Sequence, residues 1–249
     1  MDFLIFKEPL IIEGDNGAVF PIYPLGIIEY YKNSSLFSVL SITVEYLLQH
    51  IDSKDKKSRE EIRKTTKHFD VVTANAISIN QLLDLLALLS KKDKYDFVLQ
   101  RTEKGHLCID IDGFIISRDN YDLIRNSIIK ANSLKLPKQA ATKELQEWFD
   151  KTRNFKNKEK GAGVADIATT IVAITGLTFE AIKDMSIYQI NHLIARINKI
   201  KQYEAEVQFI TAGASDIKLT NYLEHISDDN EEKLSSSLSE VKKKLGSIW

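Results

Sequence analysis

The sequence predicts an α+β fold, predominantly α-helical, with an N-terminal β-hairpin, a small central β-meander and a helical C-terminal half. Three observations carry this. Apolar residues recur at steps of three and four in the second half, beginning with Ile167, Ile171 and Ile174. Asn16-Gly17 and Asp112-Gly113, dipeptides that readily take the positive φ values of tight turns, each separate two apolar runs. Only 10 glycines and 4 prolines occur in 249 residues, and three of the prolines precede residue 25, which leaves little chain for loops.

Residues 3–13 and 18–25 read as the strands of the hairpin. Pro9, Pro21 and Pro24 lack an N–H, so these are edge or irregular strands. Such an edge can pair with another chain or be covered by its own. Residues 27–51 read as helix in two pieces, broken at Asn33-Ser34-Ser35, with Leu36, Leu40, Val44, Leu47 and Ile51 as a stripe. Residues 52–68 are a mixed-charge run and read as a solvated loop or exposed helix. Ser78 and Gln81 have the spacing of a capping box, opening a helix over 82–89 whose leucines lie on most faces and so call for burial all round.

Residues 95–101, 107–111 and 114–116 read as the meander, with Asp112-Gly113 as its second turn. A helix follows over 120–132, carried by Tyr121, Ile124 and Ile128, and a shorter one over 143–151 with Leu145, Trp148 and Phe149. Residues 153–163 are basic, polar and glycine-containing, a linker between an α+β region, 1–152, and a helical region, 164–249.

Helix boundaries in that last region are written into the residues. The stripe of Ile167, Ile171 and Ile174 stops at Gly176, a residue suited to the left-handed C-terminal position. Thr178 can cap a short helix through Phe179 and Ile182. Ser186 and Gln189 form a second capping box, and Met185 and Ile190 sit at the positions of a hydrophobic staple. From there Ile187, Ile190, Leu193, Ile194, Ile197 and Ile200 hold a stripe on a helix reaching Ala212, with Gly213 as its stop. Residues 215–226 read as a short helix and 227–232 as an acidic hinge. Leu234, Leu238, Val241 and Leu245 then step by four, three and four, a seam too short to stand alone in water.

This boundary pattern resembles the C-terminal part of a family of tail-region proteins from phages of Gram-positive hosts, associated with tail assembly chaperones. The residues carrying the likeness are Thr175-Gly176-Leu177-Thr178, Asp184 to Gln189 and Thr211 to Gly213, together with Phe20 to Leu25 near the N-terminus. The resemblance covers about half the chain and marks helix ends rather than reactive groups, so no functional residue is carried over. It implies a non-enzymatic protein that binds the tape-measure protein and tail-tube subunits during tail morphogenesis in the host cytoplasm. The alternative is a structural subunit kept in the tail or baseplate of the virion. A second copy of the chain is a further candidate partner.

Composition narrows the class of protein. Hydrophobic residues at 43% and charged residues at 28% describe an ordinary globular chain. A net charge of −1 argues against a general nucleic-acid or anionic-membrane binder. The single cysteine, Cys108, excludes an internal disulfide framework and fits a reducing cytoplasm. No apolar run reaches the ~18 residues needed to span a bilayer, and Met1-Asp2-Phe3 opens with an acid, unlike a signal peptide.

The chemical motifs each have a plainer reading. Asp110-Ile111-Asp112-Gly113 overlaps part of a calcium loop, but Cys108 would stand where that loop needs its first aspartate, and a hairpin turn explains the same letters. Lys160-Gly161-Ala162-Gly163 lacks the Lys-[ST] of a P-loop. The basic stretch 151–158 interleaves cations with Phe155 and reads as solvated linker. His50, His68, His106, His192 and His225 are scattered without metal spacing, and His192 reads as a packing residue of the long helix. No catalytic, cofactor-binding or metal-binding residue is expected. The expected partner-binding residues are Leu238, Val241, Leu245, Ile248 and Trp249.

Overall fold

The computed structural model describes residues 3–44, 48, 61–62, 64–102, 105–134, 136, 163–215 and 217–226. It divides into two compact units, Met1–Leu134 with Glu180–Glu224, and Lys135–Phe179 with His225–Trp249. The long helix of the C-terminal half therefore belongs to the same unit as the N-terminal hairpin. Of the expected linker only Gly163 lies among the described residues, and the short helix expected over 143–151 lies outside them.

The first unit is α+β, as the sequence predicts. Strands β1 (Leu10–Glu13) and β2 (Val19–Ile22) form the antiparallel hairpin, with Ile12 opposite Phe20. Ahead of β1, Phe3–Phe6 form a 3-10 turn rather than the start of the strand. Lys7 takes a left-handed φ of 64° and Glu8 N–H bonds back to Phe3 O, so the chain reverses and the strand begins only after Pro9.

Helix α1 (Ile27–Lys32) ends at Asn33, where the break was expected, but the piece after it is a 3-10 helix, Ser34–Ser41, and not α. Helix α2 is His68–Thr73 and α3 is Ala76–Ser90. The start of α3 differs from the sequence reading. Asn75 caps it by accepting from Ile77 N–H at 2.7 Å, which leaves Ser78 a full turn inside. Gln81, freed from a capping role, donates to Ser35 O at 2.7 Å and Ser38 Oγ at 2.8 Å and ties α3 to the 3-10 helix. Leu82, Leu83, Leu85, Leu86 and Leu89 are all buried, so α3 is the central rod that the leucine pattern called for.

Strands β3 (Val98–Arg101), β4 (Leu107–Ile111) and β5 (Phe114–Ile116) make the meander in the order β3-β4-β5. Asp112 and Gly113, at φ 51° and 82°, form the two-residue turn that an Asp-Gly pair favours. Phe114 stacks on Phe20 with ring centroids 5.5 Å apart, joining the meander to the hairpin. Helix α4 (Tyr121–Ala131) follows, with Tyr121, Ile124 and Ile128 fully buried.

In the second unit, α5 (Val164–Thr175) is capped by Asp166, which accepts from Gly163 N–H at 2.8 Å. It closes at Gly176, φ 73°, as expected. Ile171 is buried and Ile174 is not. Helix α6 (Phe179–Asp184) leads back into the first unit, where α7 (Ile187–Thr211) begins.

One seam in the first unit gathers three helix ends. Tyr23 N–H donates to Leu89 O near the end of α3. Leu25 N–H donates to the Asn132 side chain, the C-cap of α4. Ile27 N–H and Ile187 N–H exchange bonds with Met185 O and Leu25 O, at 3.0 Å each, which fixes the start of α7.

Candidate protein-interaction surface

Helix α7 is built to start in one place and stop in another. Ser186 Oγ accepts from Gln189 N–H at 3.1 Å while Gln189 Oε1 accepts from Ser186 N–H at 2.8 Å, the reciprocal box that the spacing predicts. The spare amide of Gln189 reaches Ile5 O at 2.7 Å. At the far end Gly213 takes φ 94°, Gly213 N–H bonds Ile210 O and Ala214 N–H bonds Phe209 O, a Schellman motif. Between them run 25 residues, roughly 38 Å at 1.5 Å per residue.

Burial along this rod is uneven. Ile187, Tyr188 and Ile190 are buried in the first turn, and the rest of the stripe, Leu193 to Ile200, is only half-buried. At the distal end Phe209 is 60% exposed, Ile210 41% and Val207 37%. Three large apolar side chains thus stand exposed around the distal end of the helix.

The segment after Gly213 is a strap and not the helix expected over 215–226. It returns antiparallel along α7. Thr220 bonds Glu206 through its N–H and, at 2.7 Å, its hydroxyl; the Tyr222 ring packs at a tilt on Tyr203, centroids 5.1 Å apart; Glu224 pairs with Lys199 at 3.0 Å. Arg196 Nη1 donates to both Tyr222 O and Glu224 O. Hydrogen bonds from Thr220 hold the Glu206 carboxyl below the usual range, and the bond and charge of Lys199 do the same for Glu224. These are long-range partners, which is why helical periodicity in the strap was misleading. On the strap itself Leu223 is 75% exposed and Leu219 45% exposed.

The expected binding residues Leu238, Val241, Leu245, Ile248 and Trp249 lie outside the described residues. What the sequence reading passed over is the distal end of α7. Its signal is the cluster Val207, Phe209, Ile210 at a helix end bordered by a glycine stop.

Other polar groups are committed to structure. Asp110 Oδ1 accepts from Gly113 N–H at 3.0 Å and Lys92 pairs with Asp112, so the acids of the supposed calcium loop hold the hairpin turn. Cys108 is buried and points its thiol at Gln100 O, 3.6 Å away. A shallow cavity of about 260 Å³ between α2 and the β3–β4 hairpin contains Arg101, His106 and Arg118. Arg118 Nε lies 2.9 Å from Asp70, and Arg101 Nη1 donates to Gly105 O at 2.9 Å. His192 packs on the Tyr188 ring at 4.3 Å. Among the described residues no group of three or more His, Cys, Asp or Glu could hold a metal ion, and no helix is long and apolar enough to cross a membrane.

A buried node joins α2 to α4. His68 stacks on Tyr121 at 5.6 Å and 9°, and Arg125 holds Leu40 O through Nε at 3.0 Å and Nη2 at 2.7 Å. Neither ring nitrogen of His68 has a partner of good hydrogen-bond geometry. Burial, then the Arg125 charge, pushes its pKa down to about 4, with the Leu40 and Ile42 carbonyls pulling the other way. A neutral, enclosed imidazole of this kind is a packing group.

Residues 156–227 match the family described as YomV second domain. That span takes in α5, α6, α7 and the strap through Ile226. The chain is also 26% identical over 128 residues to the SPbeta prophage-derived uncharacterized protein YomV of Bacillus subtilis (strain 168). The aligned stretch covers 51% of this chain and 54% of that protein, so the chain spans about half the length of the curated relative it matches. No solved structure matches.

Proposed function

We propose that this is a non-enzymatic phage protein that acts by binding other proteins, and that its setting is tail assembly. The observation carrying the reading is the exposed apolar side chains of α7 and its strap: Val207, Phe209 and Ile210 at the distal end of the helix, Leu219 and Leu223 on the strap. Similarity to a prophage-derived protein supports a phage origin. The tail setting rests on the resemblance in helix boundaries, and the partners it names are the tape-measure protein and the tail-tube subunit. The competing reading is a subunit retained in the virion tail or baseplate.

The test is co-expression with the tape-measure and tail-tube proteins of the same phage genome. The wild-type chain should co-purify with one of them. A Phe209→Ser, Leu223→Ser double variant should lose that partner at least tenfold with its melting temperature unchanged, since both side chains are exposed. No complex with either protein would overturn the tail reading. Mass spectrometry of purified particles separates the alternatives: a chaperone is absent, a subunit present in fixed stoichiometry.

A further inference from the structure

Among the described residues of the first unit, two strand edges present unbonded main-chain groups on both sides of a turn-proximal pair, and they carry opposite charges. In the meander, Thr102 N–H bonds His106 O at 2.8 Å. Counting back from that pair, Gln100 opposite Cys108 and Val98 opposite Asp110 are the bonded pairs. The N–H and C=O of Leu99 and Arg101 then point away from β4, and no hydrogen bond among the described residues reaches them. In the hairpin, Gly14 N–H bonds Ala18 O, so the same count leaves Ile11 and Glu13 pointing outwards from β1.

The other two edges are each blocked at one point. Pro21 has no N–H to present on β2, and Tyr23 N–H beyond it is taken by Leu89 O. On β5, Ile115 O accepts from Asn120 Nδ2 at 2.7 Å. Open edges are the places where a sheet accepts another strand. Apolar surface runs out at both. Ile116 and Ile109 are fully buried, and the row they begin ends on Leu99, 45% exposed; Ile11 is 53% exposed.

We infer that the chain associates with itself head to tail, β1 of one copy adding to β3 of the next as an antiparallel strand. Ile11 then faces Arg101 of the next copy and Glu13 faces Leu99, two bonded pairs with four main-chain hydrogen bonds. Glu13 and Arg101 become diagonal neighbours, ~7–8 Å apart at the backbone and within reach of each other's charge. Pairing like edges in the same register would bring two Glu13 or two Arg101 onto that diagonal, which the charges oppose. Charge thus selects the unlike pairing, and the resulting interface is heterologous, able to extend beyond a dimer.

Sedimentation velocity on the full chain tests this, up to about 500 µM because the interface is small. The wild type should show concentration-dependent association. Glu13→Arg and Arg101→Glu should each weaken it at least threefold, and the double exchange should restore it. Ile11→Pro and Leu99→Pro remove only outward N–H groups, so the internal ladders survive. Each proline variant alone should be monomeric, and their equimolar mixture should stop at dimers. A monomeric wild type, a proline variant that associates as the wild type does, or a double exchange that fails to restore what the single exchanges lost would overturn the inference. Should a proline variant not fold, the charge exchanges at these exposed side chains decide the matter alone.

Discussion

Asn132 shows how much one side chain can hold. It is fully buried, accepts from Leu25 N–H at 3.1 Å and donates to Ile128 O at 3.1 Å. Replacing it by alanine strands a buried amide, so Asn132→Ala should lower stability by about 1–3 kcal/mol in urea unfolding. His68 makes a different prediction, because its folded pKa, about 4, lies below the unfolded value of 6.5. Its contribution is complete above pH 6.5 and is lost as pH falls towards 4, where the unfolded chain takes up a proton that the folded one refuses. The swing should be at most about 3 kcal/mol. Thermal melts across that window should fall more steeply for the wild type than for His68→Phe, and equal slopes would show that the ring is not buried neutral. Neither role could be read from sequence, since both depend on partners far along the chain.

Among the elements, those that depend on local chemistry were the legible ones. The Ser186–Gln189 box, the Gly176 and Gly213 stops and the Asp112-Gly113 turn all stand where their residues place them. Where two candidates compete locally the sequence is ambiguous: Asn75 and Ser78 can each open a helix, and Asn75 does. The 3-10 turn at Phe3–Phe6 and the strap over 217–224 answer to tertiary partners such as Gln189 and Glu206, which no local pattern announces. Ser186 is the element-level test. It is fully buried at the head of the longest described helix. Ser186→Ala should cost about 1–2 kcal/mol, and Ser186→Thr should recover most of it in the same denaturation experiment.

At the scale of the molecule, the predicted class, mostly helical with two small antiparallel sheets, is the one observed. The proposed interaction surface is legible only in part. Sequence directs attention to apolar residues near the C-terminus; exposure directs it to Phe209, Ile210 and Leu223. Exposure is a property of the assembled unit, as is the outward or inward direction of each strand amide, so neither the apolar end of α7 nor the open strand edges can be seen from composition. Composition does fix one whole-molecule expectation. With a net charge of −1 the chain should show no salt-sensitive shift with DNA or RNA at low ionic strength, and a clear shift there would contradict the protein-binding reading.

The seam around Gly26 has a consequence for descent. Three of its ties, at Tyr23, Ile27 and Ile187, join main chain to main chain, and only Asn132 lends a side chain. Main-chain groups come with every residue except proline, whose nitrogen carries no hydrogen. Lineages can therefore exchange most letters along this joint and keep it shut. Architecture held this way outlasts recognisable spelling, and distant members of such a lineage should share the joint long after their alignments have faded.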